Sequence, residues 1–175
     1  MTVSPPTPAA CARPGFSLVE LMLVISILAI VTALAIPQAG ARDISRLRSA
    51  GQILAADLDH ARMDSIAHGD DPRIVVFDPT NHGYHVAAAS DPTTPLTHPT
   101  QGGAHAMTFG QGLYHDVAGV TLGTLEVDGD DRLGFDAFGS LDQTDEASIE
   151  LNVGSRSLEL RIDPSTGEVT LGDIR

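Results

Sequence analysis

His82 and His85 stand near a turn, with His98, His105 and His115 further along, and imidazole is the side chain most often found on zinc and its neighbours. No acid or thiol completes a recognised ligand spacing around these five, and several fall in a stretch of turn-forming residues. The sequence therefore predicts solvated histidines, no metal and no cofactor. Asp128-Gly129-Asp130-Asp131 has the oxygen-rich character of a calcium loop. It lacks the twelve-residue pattern with a closing Glu and is expected to be a solvated hairpin turn. Neither a phosphate-cradling glycine loop, a nucleophile elbow nor a paired-acid motif is found, so an enzyme is not expected. One carboxylate remains: Glu20, alone in the run FSLVELMLVISILAIVTALAI that follows Gly15. An acid deep in hydrocarbon costs about 2.5–3.5 kcal/mol on insertion scales, so its place there calls for a partner cation.

The elements that must position these groups follow from composition and periodicity. Residues 1–15, MTVSPPTPAACARPG, carry four prolines and a single charge, Arg13, which suits a leader peptide rather than a helix or core. Residues 16–36 hold one ionisable group in 21 positions; as a helix of about 31 Å they match the hydrocarbon thickness of a bilayer. Pro37 removes a backbone donor and should kink or interrupt the helix. Over 37–69 the pattern changes to a stripe, with Ile44, Leu47, Gly51, Leu54, Leu58 and Ala61 at alternating spacings of three and four, the mark of one buried helical face. This amphipathic stem should end at His68-Gly69, with Gly as its cap and Asp70-Asp71-Pro72 beyond.

Residues 70–175 read as a β-rich head. Strands are expected over Ile74–Phe77, Tyr84–Ala88, Val120–Val127, Leu133–Phe138, Ser148–Val153, Leu158–Ile162 and Val169–Leu171. Gly154-Ser155 and the run Asp163-Pro164-Ser165-Thr166-Gly167 would join the last three into a meander. Residues 89–103 show no periodicity and are expected to be a long mobile loop. The predicted class is α+β: a long N-terminal helix, half in the membrane and half packed on a head of antiparallel strands in two small sheets.

Gly15-Phe16-Ser17-Leu18-Val19-Glu20, at the junction of leader and apolar helix, resembles the processing signal of type IV pilins and type II secretion pseudopilins. Four features coincide: Gly before the cut, Phe after it, an acid at the fifth position of the mature chain, and a proline, Pro37, at the twenty-second. The resemblance implies that a membrane-bound prepilin peptidase cuts after Gly15 and that the new amino terminus of Phe16 is methylated. It further implies that Glu20 serves assembly, that Pro37 marks a helix kink, and that the helix bundles with those of other pseudopilin or pilin subunits. Glu20 would lie only about 6 Å from the new terminus, so the membrane interface relieves part of its cost in the monomer. In a bundle, the terminal amine of a neighbour is the nearest cation, and such a pair fixes register more than it adds stability. Leu58 to Ala67, Phe135 to Gly139 and Leu158 to Val169 are more loosely similar to the minor pseudopilin H and fimbrial T group. That similarity implies a subunit of a type II secretion pseudopilus, held in the inner membrane by a single pass with its head in the periplasm, and a pilin-like fold.

Other readings compete. Ala33-Leu34-Ala35 could serve as a signal-peptide cleavage site, releasing a secreted β-domain, but this leaves Glu20 and the resumed helical stripe unexplained. A plain single-pass anchor explains length alone. A minor pilin of a type IV pilus, used in adhesion or DNA uptake, is the rival within the same fold. Ten basic residues against 23 acids give a formal charge of -13, which argues against a nucleic-acid partner. The one cysteine, Cys11, lies in the leader, so no disulfide is expected in a processed chain.

Overall fold

Leu18–Ala35 (α1) and Ala39–Ala67 (α2) are the two α-helices among the described residues; the computed structural model describes residues 17–35 and 39–175. These fall into two units, Met1–Gln38 and Ala39–Arg175. In the second unit the predicted stripe becomes the inner face of α2: Leu47, Leu54, Leu58 and Ala61 are fully buried, joined by Ala50. Gly51 is on the same face because the helix comes close to strand β8 (Arg156–Ile162) there; a Cβ would lie 2.5 Å from Leu158 Cδ2. Each buried leucine contributes roughly 1.5–3 kcal/mol by leaving water, so α2 is tied to the head along most of its length.

The helix end differs from expectation. Gly69 is not among the residues with positive φ, so it supplies no left-handed cap; its missing Cβ instead admits Ala137, whose Cβ would stand 3.0 Å away. The end is secured by side chains. Ser65 Oγ donates to Ala61 O and accepts from the Arg73 backbone N–H at 2.8 Å. The Arg73 guanidinium is buried and pairs with Asp64. Burial works against the Asp64 charge, but the hydrogen bond and charge of Arg73, with His68 adding to them, hold its carboxyl below the usual range.

All strand pairs are antiparallel and form two sheets. The first runs β3 (Asp91–Pro95), β2 (Gly83–Ala88), β1 (Arg73–Asp78), β6 (Arg132–Gly134), with β4 (Ala106–Thr108) also pairing with β2. The second runs β5 (Thr121–Glu126), β7 (Ala147–Val153), β8 and β9 (Val169–Leu171). Strand alternation puts Val75 and Phe77 of β1, and Ile149 and Leu151 of β7, into one core with the α2 stripe. The β7–β8 hairpin turns at Gly154, with φ of 59°, between the paired Val153 and Arg156. Asp163 Oδ1 accepts from the N–H groups of Ser165 and Thr166 to close the turn before β9.

Three expectations need correction. Residues 89–103 are not a structureless loop: β3 pairs with β2, and Thr97 bridges Ala104. Two prolines in β3 hid it, and they are tolerated because β3 is an edge strand. The strand expected over Leu133–Phe138 ends at Gly134, because Asp136 Oδ1 accepts from the N–H groups of Phe138 and Ser140 and turns the chain. Asp128–Asp131 is not a hairpin turn. It carries the chain from β5 in one sheet to β6 in the other, with positive φ at Asp128, Gly129 and Asp131.

Candidate functional site

α1 is apolar on every side, and its described side chains, Leu18 through Thr32, are all exposed. The hydroxyls within it turn inward: Ser26 Oγ donates to Met22 O at 2.7 Å and Thr32 Oγ1 to Leu28 O at 2.8 Å. Both are therefore satisfied without water, as a helix in an apolar surrounding requires. Glu20 stands exposed in the first turn and makes no ion pair among the described residues. An acid near a helix N-terminus is favoured by the positive end of the dipole by about 0.3–1 kcal/mol, less than the roughly 2.5–3.5 kcal/mol that placing an acid in hydrocarbon costs. Gly15, Phe16 and Pro37, to which cleavage, methylation and the kink are assigned, lie outside the described residues.

A helix spanning 16–36 was expected to cross a membrane. Leu18–Ala35 has 18 residues, a rise of about 27 Å against a hydrocarbon layer of about 30 Å. No helix among the described residues is long and apolar enough to cross a membrane.

The histidines of the head do not share one environment. His115 is exposed beside Asp116. His85 is half-buried with Nε2 2.9 Å from Pro92 O, and His82 occupies a left-handed turn with φ of 50°. Solvation was expected for all five, and His105 overturns it: the residue is 3% exposed. Its N–H donates to Leu96 O and its carbonyl accepts from the Val86 N–H, which fixes its backbone between two strand segments. Its ring lies 4.5 Å from that of His98, centroid to centroid, and 5.5 Å from that of His60. Asp57 of α2 completes the group: its Oδ1 is 3.2 Å from His105 Nε2, and its Oδ2 accepts from Tyr84 Oη–H at 2.7 Å. Burial first, then the Asp57 charge, pushes the Tyr84 phenol well above its ordinary value, so it stays a donor. Burial and the neighbouring His105 and His60 push the His98 imidazole below its ordinary value, which Asp57 only partly opposes. Spacing gave no sign of this gathering because Asp57 and His105 meet only after the head folds onto α2.

The exposed helix and the β-rich head both have counterparts. Residues 12–36 match the family described as the prokaryotic N-terminal methylation motif. No curated protein sequence matches the chain. Among solved structures, the chain is similar to the type IV minor pilin FimU of Pseudomonas aeruginosa strain PAO1 in its P21 crystal form. Identity there is 18%, with 74% of this chain and 90% of that chain covered and a TM-score of 0.54. The same pilin in space group P65 aligns at 18% identity over 73% of this chain and 93% of that chain, with a TM-score of 0.51. At such identity the likeness concerns the fold. The chain thus joins an N-terminal methylation motif to an α+β head of pilin-like fold.

Proposed function

We propose that the chain is a minor pseudopilin of a type II secretion system, a structural subunit and not an enzyme. The observation that carries the reading is one chain holding both the methylation motif at 12–36 and a pilin-like head. In this reading prepilin peptidase cuts after Gly15, Phe16 becomes the methylated amino terminus, and residues 16–36 anchor the protein in the inner membrane. The stem, 37–69, and head, 70–175, stand in the periplasm. An apolar helix with no stripe can be covered by lipid before assembly and by like helices after it. Glu20 meets the terminal amine of the next subunit and sets the axial step between them, and Pro37 bends the helix as it leaves the membrane.

A second reading, a minor pilin of a type IV pilus, is favoured by the likeness to FimU. Deleting the gene in its host separates the two. Export substrates held in the periplasm with surface pili intact mark a pseudopilin; lost pili with normal export mark a pilin; neither phenotype rejects both.

Charge bears on the DNA-uptake form of the second reading. From Asp70 onward the sequence has 18 acids and five arginines, and 5 minus 18 is -13. Nucleic-acid affinity needs several cations converging on one surface. The head should show no DNA binding by anisotropy at about 0.15 M salt. Saturable, salt-sensitive binding in that titration would move the protein to the uptake class.

A further inference from the structure

We infer that Asp57, His98 and His105 form a binding site for a divalent transition-metal ion of the zinc class, clipping the β3–β4 segment onto α2. One candidate ligand atom from each of the three lies within 4.8 Å of the others. The buried ring of His105 carries the argument. Both of its nitrogens are inaccessible, and neither has a hydrogen-bond partner among the described residues. A buried polar atom without a partner costs about 1–3 kcal/mol, and a metal ion would satisfy Nε2, the nitrogen that faces Asp57, while Nδ1 keeps none. His105 Nε2 stands 3.2 Å from Asp57 Oδ1, yet the approach is not aligned as a hydrogen bond. Two donors on one tetrahedral zinc, each about 2.0–2.1 Å from the ion, are separated by about 3.3 Å. The pair is spaced as fellow ligands.

The surroundings fit that role. Tyr84 donates to Asp57 Oδ2, which orients the carboxylate and leaves Oδ1 as a single ligand atom, as outer hydrogen bonds do at metal centres. His98 sits on the outer side, where Thr97 bridges Ala104 and the His98 N–H donates to Gly103 O. Its Nδ1 faces Thr100 Oγ1 at 3.3 Å, so a metal on Nε2 leaves the Nδ1 proton an acceptor. Two amide contacts to Nδ1, from Thr100 and Gln101 at 3.2 and 3.3 Å, would be given up to water. His60, three residues from Asp57 on the same helix, stands beside the His105 ring with its Nδ1 buried and unpartnered. Two imidazoles and one carboxylate select zinc, cobalt or copper over calcium or magnesium, which take oxygen donors.

The test uses the untagged full-length chain in detergent micelles, with Zn2+ and Co2+ as probes. Equilibrium dialysis should find one tight Zn2+ per chain, and Co2+ should give the intense visible absorption of a tetrahedral site. His98→Ala and Asp57→Asn should each weaken binding by about tenfold or more, and Tyr84→Phe should weaken it without changing the stoichiometry. His115→Ala, at an exposed histidine outside the group, should leave binding unchanged. Zn2+ should raise the melting temperature of the parent chain and not that of His98→Ala, whose metal-free form, altered only at a half-exposed position, should melt near the parent. Binding below one equivalent, a pale octahedral cobalt spectrum, or full affinity in both His98→Ala and Asp57→Asn would overturn the site.

Discussion

α1 and α2 follow one another in the chain and treat their apolar side chains in opposite ways. In α2 they form a stripe, and Leu47, Leu54 and Leu58 disappear completely into the head. In α1 they point in every direction and stay exposed, as at Leu18, Ile25 and Ile30. A stripe shows that the partner lies to one side and is already present. All-round apolarity fits the surrounding proposed for α1, lipid or a bundle of like helices. Substitutions in the two helices should separate residues that serve folding from those given the proposed assembly role.

The largest expected effect is at Glu20. Glu20→Leu should insert and be processed as the parent is, yet fail to enter filaments or crosslink to partner subunits; filaments at the parental level would remove the assembly role. Next comes the stripe. Leu58→Ala removes a fully buried side chain and should cost about 2–5 kcal/mol in denaturant unfolding of the head. A loss under about 1 kcal/mol would show that α2 is less integral to the core than its burial indicates.

The Arg73–Asp64 pair ranks third. Arg73→Ala should cost about 2–3 kcal/mol, less than at a fully buried pair because Asp64 remains partly exposed. Since Asp64 is held below the ordinary aspartate range in the folded chain, its stabilisation is complete above that range. It is lost as the pH falls through the folded value. The parent should therefore lose more stability than Arg73→Ala when acidified from about pH 5 to pH 3; equal losses would contradict the linkage. The smallest effect belongs to α1: Ile25→Ala should leave the unfolding midpoint of the head unchanged, and a shift comparable to that of Leu58→Ala would erase the contrast between the helices.

Legibility in the sequence followed how local each cause was. The α2 stripe and the β7–β9 meander were readable because spacing and turn residues act over a few positions: three and four for the helix, Gly154 and the Asp163–Gly167 run for the turns. The edge strand β3 was hidden by Pro92 and Pro95, whose missing N–H groups matter little at an edge. The role of Asp128–Asp131 as a link between sheets depends on where β6 finds its partner, and that partner, β1, lies far earlier in the chain. The His98–His105–Asp57 group was the least legible, since a bridge at Thr97–Ala104 and the packing of a distant helix create it together.

In the proposed function α1 belongs to a processed, filament-forming subunit. Intact-mass measurement and N-terminal sequencing of the protein extracted from membranes test it most directly. The expected result is a mature chain beginning at Phe16 and carrying one added methyl group, with Gly15→Leu leaving the precursor uncut. A mature terminus at Ile36 would contradict it and establish a secreted β-domain instead.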